Sequence, residues 1–285
     1  MDVTPAFRGS EAIASGRLTR GQLRGPGYLS LFRDVYVRAG QRLDLEARSR
    51  ASTLFLPSGG ALAGHSAAAL WRAGCSPAEA DVEFAVPGGT VRAQPGLVVH
   101  RGALDADEVT MRSGVPVTTP VRTAYDLGRR PPRVEAVVCL DALARAGRFA
   151  PADVMALAAR HPGARGNQRL PEVVRLSNPA AESAGETRCR LALVLRGLPE
   201  PQVQYRIRDR DGRVVLRVDL AYPLQKLAIE YDGRPPYKPA LDDSTLRRDE
   251  IGIALGWTML HCGSDATHVR ADQFAENVAR RLGLR

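Results

Sequence analysis

The feature that most constrains the fold is a pair of short apolar runs in residues 218–233, joined by a turn that contains Pro223, with an acid inside each run. Apolar runs of this length between turn residues predict a β-hairpin. Because side chains alternate between the two faces of a strand, Glu230 and Asp232 share one face of the second strand, and Asp219 lies on one face of the first. The hairpin therefore predicts that three carboxylates meet on one patch of a sheet.

Carboxylates this close repel one another and are rarely left without a partner. Mg²⁺ prefers hard oxygen ligands and keeps some of its own waters, so Asp219, Glu230 and Asp232 are candidate metal ligands. The alternative is that these acids lie on edge strands and form ion pairs with Arg217 and Lys226.

Length and charge indicate the domain count and the class of partner. A chain of 285 residues is expected to form two or three domains. A formal net charge of +9 and a pI near 9.9 favour an anionic partner, with nucleic acid ahead of a membrane. The alternative explanation is a genome rich in G and C, which encodes Arg where others encode Lys.

The cysteine spacing and the hydropathy of the sequence indicate where in the cell the protein is expected. The four cysteines are far apart and form no C-x-x-C pair, which argues against a zinc finger and against a secreted disulfide scaffold. The sequence has neither a basic-then-apolar leader nor an apolar run of membrane-spanning length. The expected location is cytoplasmic, without membrane association.

Residues 1–45 predict a unit similar to a winged helix-turn-helix. Two short helices, the second with Thr19 as its N-cap, precede a strand pair. The basic side chains here are candidate phosphate contacts: Arg17, Arg20 and Arg24. The alternative is a packing module with a solvated basic face, because phosphate contact makes few demands on an Arg cluster.

Residues 46–176 predict a mixed α+β domain, with a helix expected over 43–56 at its start. Three histidines, His65, His100 and His161, fall on different predicted elements and lack the spacing of metal ligands, so they are interpreted as structural or surface residues. With no catalytic motif in this region, it is expected to be a spacer or regulatory domain.

Residues 177–285 predict the order helix, three strands, helix, strand, helix. On the first helix, Glu182, Glu186 and Arg190 are each one turn apart. The alternative to a functional role for Glu186 is therefore a surface ion pair with Arg190.

This order of elements carries a resemblance to a known superfamily. The motifs are Val218-Asp219-Leu220, Glu230-Tyr231-Asp232-Gly233, Arg248-Asp249 and Leu255-Gly256-Trp257. Together they resemble the PD-(D/E)XK nuclease superfamily, and within it a domain-of-unknown-function branch close to the very-short-patch-repair (Vsr-like) endonucleases. In the first two regions, residues 18–23 and 64–68 are similar to AbiEi-type antitoxins, which pair a winged helix with a mixed domain.

The nuclease resemblance implies a hydrolytic mechanism. Asp219 and Glu230 would bind Mg²⁺ or Mn²⁺, Asp232 would be a third ligand or an orienting base, and Glu186 would help through a water molecule. The ion would activate a water that attacks a phosphodiester and would offset charge on the leaving oxygen.

The sequence departs from the superfamily pattern at two places. Asp232 stands where the pattern has a Lys, and no His follows Gly233 at the position common in Vsr-like relatives. Lys238 is the candidate substitute, which makes it a possible catalytic residue. Asp249 is expected either to pair with a neighbouring Arg or to orient the site.

The remaining basic residues of this region, Arg234, Arg247 and Arg248, are candidate DNA contacts. The predicted fold class is α/β (α+β overall), with a restriction-endonuclease-like αβββαβ core behind the other two units. Two functions compete: a metal-dependent DNA endonuclease in repair, restriction or defence against mobile elements, and a non-catalytic DNA-binding regulator of AbiEi antitoxin type with a degenerate nuclease domain. DNA, and for the regulator a cognate toxin, are the expected partners.

Overall fold

The computed structural model describes residues 6–88, 91–130, 132–233, 243–267 and 269–284. Helices and three separate sheets combine in a mixed α+β fold, which confirms the predicted fold class. None of the helices in these ranges is long and apolar enough to cross a membrane.

The first sheet is small and antiparallel. Its region contains β1 (Phe7–Arg8), α1 (Gly9–Ala14), α2 (Arg20–Arg24), β2 (Tyr28–Phe32) and β3 (Val35–Arg38), with the strand order β1-β3-β2. The predicted strand pair is confirmed, and β1 is an additional strand. Thr19 caps α2 as expected, because its hydroxyl accepts from the backbone N–H of Gln22 in a capping box.

The central region combines a five-stranded sheet with a group of helices. Its strands are β4 (Ala61–Leu62), β5 (Val82–Val86), β6 (Leu97–Arg101), β7 (Val109–Arg112) and β8 (Val115–Thr118), in the order β6-β5-β4-β8-β7. Its helices are α3 (Leu45–Ser52), α4 (Gly64–Leu70), α5 (Pro120–Arg129), α6 (Arg133–Gly147), α7 (Asp153–Arg160) and α8 (Leu170–Leu176).

The prediction of one helix over 43–56 is wrong in its bounds. The α-helix ends at Ser52, and residues 53–55 form a 3-10 turn. The hydroxyls of Ser52 and Thr53 donate to carbonyls three residues back, at 2.6 and 2.7 Å. Such local bonds compete with the helical ladder and favour its end.

The C-terminal region has the predicted order of elements. It contains α9 (Ala184–Val194), β9 (Gln202–Arg208), β10 (Val214–Tyr222), β11 (Leu227–Asp232), α10 (Asp243–Ala254), β12 (Thr258–Gly263), α11 (Ser264–Thr267) and α12 (Ala271–Arg281). The sheet order is β12-β11-β10-β9, with β11 and β12 parallel and the other pairs antiparallel. The αβββαβ order is therefore confirmed.

Two apolar layers hold this four-stranded sheet. Leu220 and Ile229 pack in a cluster with residues of α9 and α12, and Ala228 packs in a second cluster with Trp257 and Met259. These layers hold β10 and β11, the two strands that carry the predicted carboxylates.

A buried polar network attaches α9 to the central helices. Asp141 of α6 accepts hydrogen bonds from Ser177 Oγ (2.5 Å), Thr187 Oγ1 (3.0 Å) and Arg190 Nη2 (3.1 Å). Arg190 is fully buried and also pairs with Glu200 at 3.1 Å. The alternative ion pair between Glu186 and Arg190 is therefore wrong, because Arg190 is committed to other acids.

Candidate functional site

The hairpin places Asp219 and Glu230 next to each other. Its last ladder pair is Leu220 with Ile229, so one step further along the antiparallel register Asp219 faces Glu230. Directly opposed residues project to the same face of a sheet. The alternation of side chains along the strands predicted Asp219 and Glu230 as neighbours, and the pairing of β10 with β11 agrees with that prediction.

The carboxylate of Asp219 is held by two donors. Its Oδ2 accepts from the backbone N–H of Tyr231 at 2.8 Å, and its Oδ1 accepts from Gln204 Nε2 at 3.3 Å. The same Gln204 nitrogen donates to Glu186 Oε2 at 2.8 Å. A single amide therefore links the acid of β10 to the acid in the first turn of α9.

Gln204 is a residue that sequence reasoning missed. It lies within β9 with φ +53°, a left-handed conformation that side chains other than Gly rarely adopt. Strained backbone of this kind concentrates at functional sites. A strand residue gives no local signal of such a conformation, so the sequence could not identify it.

Burial and like charge perturb Asp219. Burial raises the pKa of its carboxyl to about 6, and the negative charge of Glu230 adds to this rise, while the Tyr231 N–H opposes it. A pKa raised by burial and by a neighbouring acid marks Asp219 as a candidate functional residue.

Glu230 interacts with the following helix. Its Oε1 accepts a hydrogen bond from Arg248 Nη2, and the same nitrogen donates to the carbonyl of Arg217 at 2.7 Å. Arg248, predicted as a DNA contact, is thus placed at the carboxylates. Among the described residues, Arg217 pairs with Glu182 and Lys226 Nζ donates to a backbone carbonyl, in place of the ion pairs expected there with Asp219 and Glu230.

A histidine that the sequence analysis did not consider lies beside Glu230. His261 of β12 is aligned with Glu230 in the parallel ladder, and its Nε2 lies 2.9 Å from Asp249 Oδ2. Of the two alternatives for Asp249, the described residues show the contact with His261 and no pairing with Arg247 or Arg248, and Asp249 therefore faces the sheet. His261 was missed because its position depends on strand pairing, which the local pattern does not reveal.

The third predicted ligand, Asp232, is aligned with Gly263 at the end of β11. In the part of the chain that the structure describes, only Asp105, Glu108 and His161 bring three ligand atoms within 4.8 Å of one another. Arg160 pairs with Asp105 at 2.7 Å, and that cluster is thus partly neutralised by protein.

The other predicted DNA contacts and Lys238 are not part of this group of carboxylates in the described residues. Arg17, Arg20, Arg24 and Arg247 are exposed. Arg234 and Lys238 lie outside the described residues. The predicted site residues that the structure brings together are therefore Asp219, Glu230, Glu186 and Arg248.

The donors at the hairpin end fit a hard divalent cation. Asp219 and Glu230 offer neighbouring carboxylate oxygens, and a cation bound between them would offset both the burial of the Asp219 charge and its repulsion by Glu230, the two effects that raise the pKa of Asp219. Mg²⁺ held by these two residues would take water or substrate oxygens as its other ligands, as it commonly does in proteins.

Comparison with known proteins gives two findings. Residues 61–176 match the family described as the AbiEi antitoxin C-terminal domain, in agreement with the resemblance seen in the sequence. The chain is also 30% identical over 265 residues to the uncharacterized proteins MT2308 and Rv2248 of two Mycobacterium tuberculosis strains, CDC 1551 / Oshkosh and ATCC 25618 / H37Rv. The matched region covers 92% of this chain and 94% of each relative, and the chain therefore belongs to the same protein family as MT2308 and Rv2248.

Proposed function

We propose that this protein is an AbiEi-type DNA-binding protein whose C-terminal region is a divalent-cation-dependent endonuclease of the PD-(D/E)XK type. The observation that carries the proposal is that the Asp219 and Glu230 carboxyl groups interact just beyond the last ladder pair of the hairpin, with Glu186 joined to Asp219 through Gln204. The αβββαβ order of elements around these residues supports the same reading.

Each residue has a chemical role in this proposal. Asp219 and Glu230 hold Mg²⁺ or Mn²⁺, which when bound lowers the pKa of a water molecule and offsets charge on the phosphodiester. Gln204 fixes the orientation of Asp219 and Glu186 through its two hydrogen bonds. Asp232 and Lys238 remain proposed as orienting residues, and His261 joins them as a proton acceptor oriented by Asp249.

DNA would reach this centre through basic surfaces elsewhere in the chain. Arg17, Arg20 and Arg24 are exposed on and before the capped helix α2, and the chain carries a net charge of +9. Phosphate contacts of this kind position DNA without specifying its sequence.

A second candidate is a non-catalytic regulator of AbiEi antitoxin type that binds DNA and a cognate toxin. Two observations favour it: the family match over residues 61–176, and the ion pair between Arg248 and Glu230. In this case the carboxylates would be structural, and DNA binding would not depend on Mg²⁺.

A plasmid-nicking assay with Mg²⁺ or Mn²⁺ separates the two. The test variant is Asp219→Asn, and the matched control is Asp211→Asn, which removes an exposed acid from the neighbouring β9–β10 turn. The endonuclease proposal expects cleavage by the wild type and the control, with at least a hundredfold loss in Asp219→Asn. DNA binding by all three proteins without cleavage by any of them would leave the regulator.

A further inference from the structure

A basic cavity lies in the central region, separate from the carboxylates of the C-terminal sheet. It encloses about 420 Å³ between the end of α5 and the segment that precedes α8. Six residues line it, and four of them are arginines. The lining residues are Arg129, Arg130, Arg165, Gly166, Gln168 and Arg169. Its volume is within the range of small-ligand sites.

The acids around this cavity do not balance its positive charge. Asp126 is fully buried, and its Oδ1 accepts from both Arg129 Nη2 (2.8 Å) and Arg130 Nη2 (3.1 Å). Its other oxygen accepts from Arg122 Nε at 3.0 Å, and Arg122 also bonds Glu108. One carboxylate oxygen is thus shared between two guanidinium groups of the lining.

The other lining arginines add charge without a carboxylate. Arg165 and Arg169 are exposed, and neither forms an ion pair within the ranges that the structure describes. Among the residues that the structure describes, the buried Arg129 Nε and Arg130 Nη1 find no acceptor. Burial also lowers the pKa of Arg130, an effect that Asp126 opposes and the charge of Arg129 reinforces. A bound anion would compensate this excess of positive charge.

The cavity is held in shape by contacts between its two walls. Arg129 Nη1 donates to the carbonyl of Arg165 at 3.0 Å, and its guanidinium lies 4.7 Å from the ring centre of Tyr125. The Tyr125 hydroxyl donates to Asn167 Oδ1 at 2.9 Å. Gly166, at φ +93°, allows this approach, because a Cβ there would overlap the Arg129 carbonyl oxygen. The guanidinium groups of Arg129 and Arg130 are therefore positioned before any ligand arrives.

We propose that this cavity is a phosphoryl-binding site, which takes a phosphate group of the DNA backbone or of a free nucleotide. Planar guanidinium groups match the oxygens of phosphate in pairs and remain charged at every physiological pH. The proposal is independent of hydrolysis at Asp219 and Glu230, because the cavity shares no residue with that centre.

Inorganic phosphate is the first probe, measured by isothermal titration calorimetry on the full chain. The test variant is Arg165→Gln/Arg169→Gln, which leaves the Asp126 network intact. The control is Arg92→Gln/Arg101→Gln, which removes the same charge from exposed positions elsewhere. We expect the wild type and control to bind phosphate and the test variant to lose at least tenfold in affinity. Equal affinity in both variants, or no binding by the wild type, would overturn the proposal.

Two further measurements identify the source of the phosphate. If the cavity binds the DNA backbone, the test variant loses duplex affinity relative to the control, and its log–log salt slope is smaller by about 2. If the cavity binds a free nucleotide, both variants bind duplex DNA equally, while a nucleoside diphosphate displaces phosphate from the wild type. Failure of both DNA and diphosphate to compete with phosphate would contradict a phosphoryl site for either source.

Discussion

At the scale of single residues, the carboxyl group of Asp219 links protonation to cation binding. Its pKa is raised from an ordinary 3.8 to about 6, so the folded chain binds more protons than the unfolded chain between these pH values. The free energy of unfolding therefore falls as the pH rises through this window. A cation that binds only the folded state raises the free energy of unfolding again.

The first prediction follows for Mn²⁺ binding measured by calorimetry. Affinity should rise by about tenfold per pH unit up to about pH 6 and level off above pH 7, because one proton is displaced. Glu230→Gln should shift this rise to lower pH, since the charge of Glu230 contributes to the raised pKa, and should also weaken binding. Asp211→Asn is the control with an unchanged profile, and a flat profile in the wild type would contradict the linkage.

The second prediction concerns Gln204, whose strained backbone and bridging amide have opposite effects on stability and function. Gln204→Gly removes the left-handed strain, worth about 1–2 kcal/mol, but adds the entropy cost of Gly in a strand, about 0.5–1 kcal/mol. We expect a thermal midpoint close to that of the wild type and a loss of at least tenfold in cleavage rate. Gln202→Gly, an exposed position on the same strand, should keep its cleavage rate, and full activity in Gln204→Gly would remove the proposed positioning role.

Sequence alone predicted the acids but not the residues that hold them. Asp219 and Glu230 lie on one hairpin, so alternation and a short turn were sufficient to bring them together. Gln204 bonds Asp219 from β9, and His261 of β12 lies next to Glu230 in the ladder, and the pairing of these strands depends on the whole sheet. Local patterns carry no information on such pairing, and for the same reason they left two alternatives open for Asp249.

At the scale of elements, helix α9 approaches β11 through a glycine. A Cβ at Gly185 would overlap the ring of Tyr231, so only Gly permits this packing distance. The contact sets the position of the neighbouring Glu186 relative to the sheet. The helix itself was predictable from its caps and periodicity, whereas the need for Gly at this position depends on a tertiary contact.

The third prediction tests this packing with Gly185→Ala. Helix propensity favours Ala by about 1 kcal/mol, but overlap with the tyrosine ring is expected to cost more, for a net destabilisation of about 1–3 kcal/mol. Urea unfolding would measure it, with Gly27→Ala as the control, because open space surrounds a Cβ at that position. An equal or higher stability of Gly185→Ala would show that α9 moves freely on the sheet.

At the scale of the whole molecule, Asp141 connects the region that matches the AbiEi domain to the C-terminal helix α9. It accepts bonds from Ser177, Thr187 and Arg190, all from beyond α6 in sequence. The predicted boundary near residue 177 therefore lies at a tightly bonded junction. Sequence patterns placed a boundary there from Asn178 and Pro179, but gave no indication of the buried charge that spans it.

The fourth prediction is that Asp141→Ala uncouples the two regions. It leaves the fully buried Arg190 without its interior partner, and breaking a buried ion pair costs about 3–5 kcal/mol. Glu135→Ala is the matched control, because it removes the more exposed pair with Arg188 across the same α6–α9 interface, which is worth about 0–1 kcal/mol. Chemical unfolding followed by limited proteolysis should show a separate, earlier transition of the C-terminal region in Asp141→Ala alone. A single transition with the stability of the control would mean that apolar packing between α6 and α9, and not the Asp141 network, couples the two regions.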